Sequence, residues 1–280
     1  MKAPEPIIVA DLFPEVLDHL LTLLEGLSES DWQAPTVCRG WTVKDVALHL
    51  LGGDIGVLSR KRDGFSPGPP PESARELLEL VNNINRAWVT AGRRMSSRVL
   101  VDLLKFLGDQ LCRHFRELDP FEFGEPVSWA GPEPAPIWLD IAREYTEKWH
   151  HQQQIRDAVG ASPLYEPRYF APVLDAFVRA LPLTYREVTG KEGDRVRLTI
   201  SGESGGSWLV VRENDGWNLY VDSKREEAAL TPNAEVIIDQ DAAWRLFTKG
   251  MSVESARARA EVIGDARMAL KALETVSVIA

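Results

Sequence analysis

The sequence predicts two domains, a bundle of long helices followed by a smaller domain of mixed α+β structure. Apolar residues recur at helical spacing in residues 1–162, whereas short alternating runs typical of strands appear only in residues 163–280. The length of 280 residues also fits two domains, since a domain commonly holds roughly 100–200 residues. We therefore expect a helical domain at 1–162 and an α+β domain at 163–280.

The balance of charges argues against two classes of partner. The chain has 42 acidic and 32 basic residues, which gives a formal net charge of −10. Binding to nucleic acid or to an anionic membrane surface is driven by basic residues, so neither partner is expected. The densest early basic cluster, at 60–62, is better explained as a solvated helix end.

Other features of the composition favour a cytoplasmic protein. The two cysteines, Cys38 and Cys112, define no disulfide framework, which fits a reducing compartment. The N-terminal residues lead into an amphipathic helix rather than an apolar signal segment. No run of 18 apolar residues occurs, so no transmembrane helix is expected.

Two helices are predicted before residue 60. The first, at 11–27, carries apolar residues at helical spacing, and Asp11 is suited to be its N-cap. The second opens at Thr42, whose hydroxyl can cap the helix, with Asp45 three residues later as a variant capping box. This second helix is expected to run to Gly53 or somewhat beyond.

Three longer helices complete the predicted bundle, at 73–95, 97–118 and 137–159, the last stopped by Gly160. A rigid proline-rich loop at 66–71 precedes the first of them, and a longer loop at 120–136 precedes the last. Long ordered loops in compact domains are often functional. Together with the helix at 11–27, these elements predict a four-helix bundle.

The second half begins with a predicted helix at 172–184 and continues with strands. The triplet Asn214-Asp215-Gly216 is a hairpin signal between two of these strands. The predicted elements are strands at 196–200, 208–211, 217–221 and 234–238, then helices at 241–248 and 265–275.

A cluster of metal ligands is predicted in the helical half. Glu147 and His151 lie four residues apart on one helix, so their side chains share a face. His49 lies on the apolar side of the second helix and would point into the bundle. At this level Glu144 and His150 could replace Glu147 and His151, because a three-residue spacing is also permitted.

The chemistry of this trio fits a catalytic ion. Two imidazoles and one carboxylate suit Zn²⁺ best, with Ni²⁺ or Fe²⁺ as alternatives, and three protein ligands leave coordination positions open. Each part also has a simpler explanation. A Glu and a His at this spacing often occur by chance on exposed helices, and a histidine beside an apolar stripe is often a core residue.

Two sequence blocks resemble a known family. The first is Asp31-Trp32, Pro35-Thr36, Cys38 and then Gly40-Trp41-Thr42-Val43-Lys44-Asp45-Val46, followed by His49-Leu50. The second holds Glu147, His151, Gln154-Ile155-Arg156 and Gly160. Together they resemble the DinB-like superfamily and, more narrowly, the mycothiol-dependent maleylpyruvate isomerases.

The resemblance implies the ligand set His49, Glu147 and His151, and it extends to the second half. The stretch from 236 to 265 looks like the sterol-carrier-like domain that follows the bundle in those isomerases. Related bundles are monomers or homodimers. The sequence departs from many relatives at Gln154, where they have Asp, and this puts the particular reaction in doubt.

Two functional hypotheses follow. The first is a metal-dependent isomerase or S-transferase that uses a low-molecular-weight thiol such as mycothiol on a small electrophilic substrate, with Arg245 gripping the thiol cofactor. A hydrolase using metal-bound hydroxide is a variant of this hypothesis. The second is a non-catalytic small-molecule binding or resistance protein, in which an ion would be structural.

Four further residues have two interpretations each. Asp45 is a helix cap or a carboxylate that orients His49, and capping is favoured. Cys38 is a packed thiol or a reactive one, and packing is favoured. Trp41 is more often core than a substrate platform. Arg156 binds a substrate carboxylate or pairs with an acidic residue.

Overall fold

The structure, a computed structural model, describes residues 1–69, 71–222 and 231–278. The chain forms two compact units. The helical unit contains Ile8–Glu122 and Arg143–Leu164. The mixed unit contains Met1–Ile7, Phe123–Ala142 and the chain from Tyr165 onward. Residues 1–7 and 123–142 thus lie outside the helical unit, although they fall within the predicted domain 1–162.

An apolar cluster explains why the segment Phe123–Ala142 belongs to the mixed unit. Val127, Trp129, Ala135 and Leu139 of this segment are buried together with Ala180. The guanidinium of Arg179 lies 5.4 Å from the centre of the Trp138 ring. Burial of this apolar surface, rather than position in the sequence, decides where the segment packs.

The predicted fold class is confirmed: helices form the first unit, and helices with a sheet form the second. The helices up to Val159 are α1 Phe13–Glu25, α2 Glu29–Trp32, α3 Val43–Val57, α4 Ala74–Gly92, α5 Ser97–Glu117 and α6 Ile137–Val159. In the helical unit, α3 packs against α4 and α5, and α1 packs against α5. Helix α6 has the predicted ends, with Gly160 at φ +67°.

The predicted capping box at the start of α3 is confirmed. The hydroxyl of Thr42 accepts from the backbone N–H of Asp45, and the carboxylate of Asp45 accepts from the backbone N–H of Thr42 at 3.1 Å. Asp45 also accepts two hydrogen bonds from Arg93, at 2.8 and 2.9 Å. The helix continues past Gly53 to Val57 and then widens into a π-helical turn, Leu58–Arg62.

A glycine permits close packing of α4 on α3. The indole N–H of Trp88 on α4 donates to the carbonyl of Leu48 at 2.7 Å. A Cβ atom at Gly52 would lie 2.6 Å from the nearest carbon of the Trp88 ring. The absence of a side chain at Gly52 therefore makes room for this ring.

The predicted cap at Asp11 is wrong. A 3₁₀ turn at Ala10–Leu12 precedes α1, so Asp11 lies inside a turn and its side chain does not cap the helix. Its carboxylate instead accepts from the guanidinium of Arg116 at 2.9 Å. The predicted loop at 66–71 includes Pro70, which lies outside the described residues.

The long helices are amphipathic. On α5, Leu100, Leu104, Leu111 and Phe115 are buried, while Phe106 is exposed. None of the described helices combines the length and the apolar character needed to cross a membrane.

The mixed unit is built on one sheet. Within the described residues its strands are β1 Arg195–Ser201, β2 Gly206–Glu213, β3 Gly216–Val221, β4 Ala234–Asp239 and β5 Glu261–Gly264. They lie in the order β3-β2-β1-β4-β5, and β1 pairs with β4 in parallel while the other pairs are antiparallel. The buried face of the sheet includes Val196, Leu198 and Ile200 of β1.

The N-terminal segment pairs with the edge strand β3 at one position. The backbone N–H of Val221, the last residue of β3, donates to the carbonyl of Lys2 at 3.0 Å in an antiparallel bridge. Strands β1 to β4 correspond to the four predicted strands, and β5 was not predicted.

The helix predicted at 172–184 is shifted and divided. Pro167 lies in the first turn of α7, Pro167–Val178, and Pro172 is tolerated inside it because Phe170, Val173 and Phe177 are fully buried. A third proline, Pro182, lies in the first turn of α8, Leu181–Tyr185, where a missing N–H does no harm. The remaining helices are α9 Gln240–Phe247, α10 Val253–Arg259 and α11 Ala266–Lys271.

Candidate metal centre

The side chains of His49, Glu147 and His151 meet in the helical unit. One nitrogen or carboxylate oxygen of each lies within 4.8 Å of the other two. Across the described ranges, no other group of three histidine, cysteine or acidic side chains meets this condition. The structure therefore brings together the three residues that the sequence singles out as candidate ligands.

Two helices supply the trio. His49 lies on α3, whose start is fixed by the capping box at Thr42, and Glu147 and His151 lie one turn apart on α6. The Glu147 Oε2 and His151 Nε2 atoms are 3.4 Å apart. Ligand atoms of a tetrahedral zinc site, with bonds of about 2.0–2.1 Å, are separated by about 3.4 Å. The distance between these two ligand atoms is thus already the one found around a tetrahedral zinc ion.

A buried nitrogen without a partner supports the fit of an ion. The Nδ1 atom of His49 is buried and makes no hydrogen bond within the described part of the chain. Such atoms are rare in folded proteins, and a water molecule or an ion at the site is a usual explanation. The His49 and His151 rings stand at 75° with their centres 4.6 Å apart, so the two imidazoles lie in direct contact.

The ionisation states of two members of the trio, His49 and Glu147, also suit a cation. Burial, together with the positive charge on His151, lowers the pKa of His49 to about 3, so His49 is a neutral imidazole at neutral pH. Burial by itself would raise the pKa of Glu147, but the surrounding imidazoles hold it below its usual range. One anionic and one neutral donor are therefore present without any rearrangement.

His151 differs from His49 in its surroundings. Burial lowers its pKa, but hydrogen bonds involving Cys38 and Glu147 outweigh that effect and raise the pKa to about 9. The Nδ1 atom of His151 lies 2.8 Å from the Oε1 atom of Gln154. The metal-free trio is thus an imidazolium paired with a carboxylate, next to a neutral imidazole.

The candidate metal site is partly exposed. The Glu147 side chain keeps 27% of its surface exposed, against 10% for His151. The Trp41 ring lies beside the trio, with its centre 5.3 Å from that of His49. A small molecule can therefore reach the carboxylate, while the imidazole of His151 stays largely covered.

The alternative ligands Glu144 and His150 are used elsewhere. Glu144 is buried and accepts from the guanidinium of Arg143 at 2.5 Å. His150 lies with its Nδ1 atom 2.7 Å from the carbonyl of Thr146, and burial with the nearby His151 lowers its pKa to about 4. Neither side chain belongs to the converging group.

The structure shows the contacts of two other residues for which the sequence allows two interpretations. Asp45 caps α3 and binds Arg93, which supports the favoured interpretation as a cap. Arg156 donates to the side chain of Gln152 at 3.1 Å and to the carbonyl of Ser162 at 2.8 Å, so it serves the local packing of α6.

The predicted cofactor-binding residue Arg245 lies on α9 of the mixed unit. Its Nε atom donates to Asp241 at 2.9 Å, and its guanidinium stacks 4.5 Å from the centre of the Trp244 ring. The trio lies in the helical unit, and a role for Arg245 in holding a thiol stays a prediction.

Sequence reasoning missed two features beside the trio. Lys148 forms a buried ion pair with Asp54, and the isolated acidic residue on the apolar side of α3 was a signal for such a partner. The Cys38 thiol donates to Gln154 at 3.1 Å. No sequence signal announces this second contact, because the two residues are 116 positions apart.

Fold and site together define a class of protein: a helical unit with a candidate His₂Glu metal centre, joined to an α+β unit. The family model of the mycothiol maleylpyruvate isomerase N-terminal domain matches residues 13–156, about half of the chain and all three candidate ligands. The chain belongs to this family.

Solved structures agree with this assignment at the level of the fold. A mutant of the mycothiol-dependent maleylpyruvate isomerase superposes with a TM-score of 0.54 at 12% identity, over 90% of each chain. A second structure of that isomerase gives 0.52 at 14% identity, over 87% of this chain and 88% of the other. No curated protein matches the chain in sequence.

Proposed function

We propose that this protein is a divalent-metal-dependent enzyme that uses a low-molecular-weight thiol, such as mycothiol, to isomerise or modify a small electrophilic substrate. The observation that carries the proposal is the convergence of His49, Glu147 and His151 at a partly exposed position. Membership of the mycothiol maleylpyruvate isomerase family supports the thiol and the isomerase chemistry.

The donor set indicates which ions would fit. Two imidazole nitrogens and one carboxylate oxygen suit Zn²⁺ best, and Ni²⁺ or Fe²⁺ are also compatible. A divalent ion held there supplies Lewis acidity, which lowers the pKa of a bound thiol or water. Glu147 contributes the negative charge, and neutral His49 contributes a donor from the second helix.

The protein's own residues supply binding and orientation. His151 is held at both ring nitrogens, by Glu147 on one side and Gln154 on the other. Trp41 supplies an apolar wall next to His49, which would limit the water around a small substrate. Because the chemistry needs a reduced thiol, and both cysteines are free, we place the enzyme in the cytoplasm.

Elemental analysis tests the metal site directly. Purified protein should contain one equivalent of a divalent metal, and the variants His49→Ala and His151→Ala should lose it. His19→Ala, a histidine on α1 outside the trio, is the matched control and should keep the metal. If the native protein retains no metal after incubation with Zn²⁺ or Ni²⁺, the proposal is contradicted.

A thiol panel tests the chemistry. The metal-loaded protein would be incubated with mycothiol, bacillithiol or glutathione and a small electrophile such as maleylpyruvate, and isomerisation or adduct formation followed. Turnover that depends on one thiol and is absent in His49→Ala is the expected result. Failure with every thiol, despite full metal loading, would remove the thiol from the proposal, and substrate cleavage in the same assay would indicate a hydrolase.

A further inference from the structure

We infer that Gln154 is a positioning residue for the candidate metal centre, which it serves by fixing the ring of His151 so that Nε2 faces the other two ligands. This inference rests on the proposed metal site. It adds a residue that does not itself bind the ion, and it assigns the side-chain amide of Gln154 a specific task.

Two donors converge on one oxygen of Gln154. The Nδ1 atom of His151 lies 2.8 Å from Oε1, and the Sγ atom of Cys38 donates to the same oxygen at 3.1 Å. Gln154 is only 4% exposed, so water does not compete strongly for this oxygen. Both contacts are therefore maintained within the protein.

The chemistry of the amide determines where the proton on His151 must be. An amide oxygen accepts hydrogen bonds and cannot donate them, so the Nδ1 atom of His151 must carry the hydrogen. A neutral imidazole has only one N–H, and Nε2 is then left with a free lone pair. That atom lies 3.4 Å from Glu147 Oε2, on the side of the ring where the ligands converge.

Glu147, His151 and Gln154 all lie on α6, within two turns of the helix. Glu147 precedes His151 by four residues and Gln154 follows it by three, so the three side chains share one helix face. A ring fixed at Nδ1, with Nε2 already near Glu147, loses little freedom when it binds an ion. Metal-binding histidines commonly depend on such an acceptor at their other nitrogen.

Cys38 joins this arrangement from the other side of the site. It lies in a tight turn, where its backbone N–H donates to the hydroxyl of Thr36 at 3.2 Å and its carbonyl accepts from the N–H of Trp41 at 2.9 Å. The turn precedes α3, which carries His49. The shared oxygen of Gln154 therefore links the segment leading into α3 with the ring of His151 on α6.

Metal affinity at one fixed pH tests the inference. Gln154→Met keeps the size of the side chain and removes the acceptor, whereas Gln154→Glu keeps an acceptor oxygen. Affinity for Zn²⁺ would be measured by competition with a coloured chelator. The Met variant should bind about 10–100-fold more weakly, and the Glu variant should remain close to or tighter than the native protein.

A spectroscopic measurement on the native protein removes dependence on the variants. In long-range ¹H–¹⁵N spectra of the Zn²⁺-loaded protein, His151 should show a protonated Nδ1 and a metal-bound Nε2. Co²⁺ loading should give a visible spectrum that changes in Gln154→Met and is retained in Gln154→Glu.

The outcomes separate this inference from the proposed function. A native protein that binds no metal would remove both. Metal binding with unchanged affinity in Gln154→Met, or coordination of His151 through Nδ1, would overturn the inference and leave the proposed function intact. If Gln154→Met does not fold, the spectrum of the native protein decides alone.

Discussion

The ammonium group of Lys148 donates to the carboxylate of Asp54, and the two side chains are only 13% and 4% exposed. Lys148 also donates to the carbonyl of Leu50 at 3.2 Å. The ion pair joins α6 to α3 next to the candidate ligands, since Lys148 follows Glu147 and Leu50 follows His49. It is therefore one of the contacts that hold the two ligand-bearing helices together.

Breaking this pair should destabilise the fold strongly. Lys148→Met leaves the Asp54 carboxylate buried without its cation, which typically costs about 3–5 kcal/mol. The double variant Asp54→Leu with Lys148→Met removes both charges and should lose much less. Urea denaturation of the three proteins measures the difference, and a double variant as unstable as the single one would contradict this account.

Two glycines on α3 should respond oppositely to alanine. At Gly52 the new methyl group would lie 2.6 Å from the Trp88 ring, so Gly52→Ala should cost about 1–3 kcal/mol through overpacking. At Gly56 nothing lies within 4 Å of the added Cβ, and Gly56→Ala should stabilise the helix by up to about 1 kcal/mol. Thermal unfolding distinguishes the two signs, and equal effects would disprove the close approach of Trp88.

The cap at the start of α3 should make stability depend on acidity. Burial opposes ionisation of Asp45, but hydrogen bonds from Arg93 and Thr42 outweigh it and hold the pKa of Asp45 below its usual value. Because the pKa of Asp45 is lower in the folded state, its ionised form stabilises the folded protein at pH values above the pKa of an unfolded-state aspartate, about 3.9. That stabilisation disappears as pH falls through the folded value.

Asp45→Asn tests this dependence. The variant should lose about 1–2 kcal/mol at pH 7, and the gap to the native protein should narrow below about pH 4. Asp31→Asn, at the exposed capping box of α2, is the control and should have a smaller effect. Urea denaturation at pH 7 and pH 3.5 measures the stability of both variants against the native protein. A stability difference for Asp45→Asn that widens in acid would contradict this account.

Metal binding should be visible as a gain in stability. A ligand that binds only the folded state at 100 times its Kd adds about 2.7 kcal/mol. Zn²⁺ should therefore raise the melting temperature, EDTA should reverse the rise, and His151→Ala should show neither change. A native melting temperature indifferent to both Zn²⁺ and EDTA would count against the site.

Local patterns account for the parts of the fold that could be predicted. The apolar spacing and Gly160 defined α6 to the residue, and the hydroxyl of Thr42 marked the start of α3. These signals work because capping and helical periodicity involve residues within a few positions of each other. Helix α10 was not predicted: Ser252 caps its start, but Ala256 is its one buried residue within the described chain, so the apolar spacing is missing.

The candidate site was predictable only as a set of residues. The spacing of Glu147 and His151 follows from helix geometry, but the orientation of the His151 ring depends on a contact with Gln154 that also involves Cys38. The choice between Glu144 and Glu147 likewise depends on Arg143, which takes up the former. Such choices are made by tertiary packing, which periodicity does not encode.

The bridge between Lys2 and Val221 covers part of the exposed edge of strand β3. An unpaired strand edge is a template on which other chains can add and aggregate. With its carbonyl bound to the end of β3, Lys2 occupies part of that edge and places a charged side chain beside it. A purification tag is therefore better fused to the C-terminal side, where it does not disturb the pairing of Lys2 with Val221.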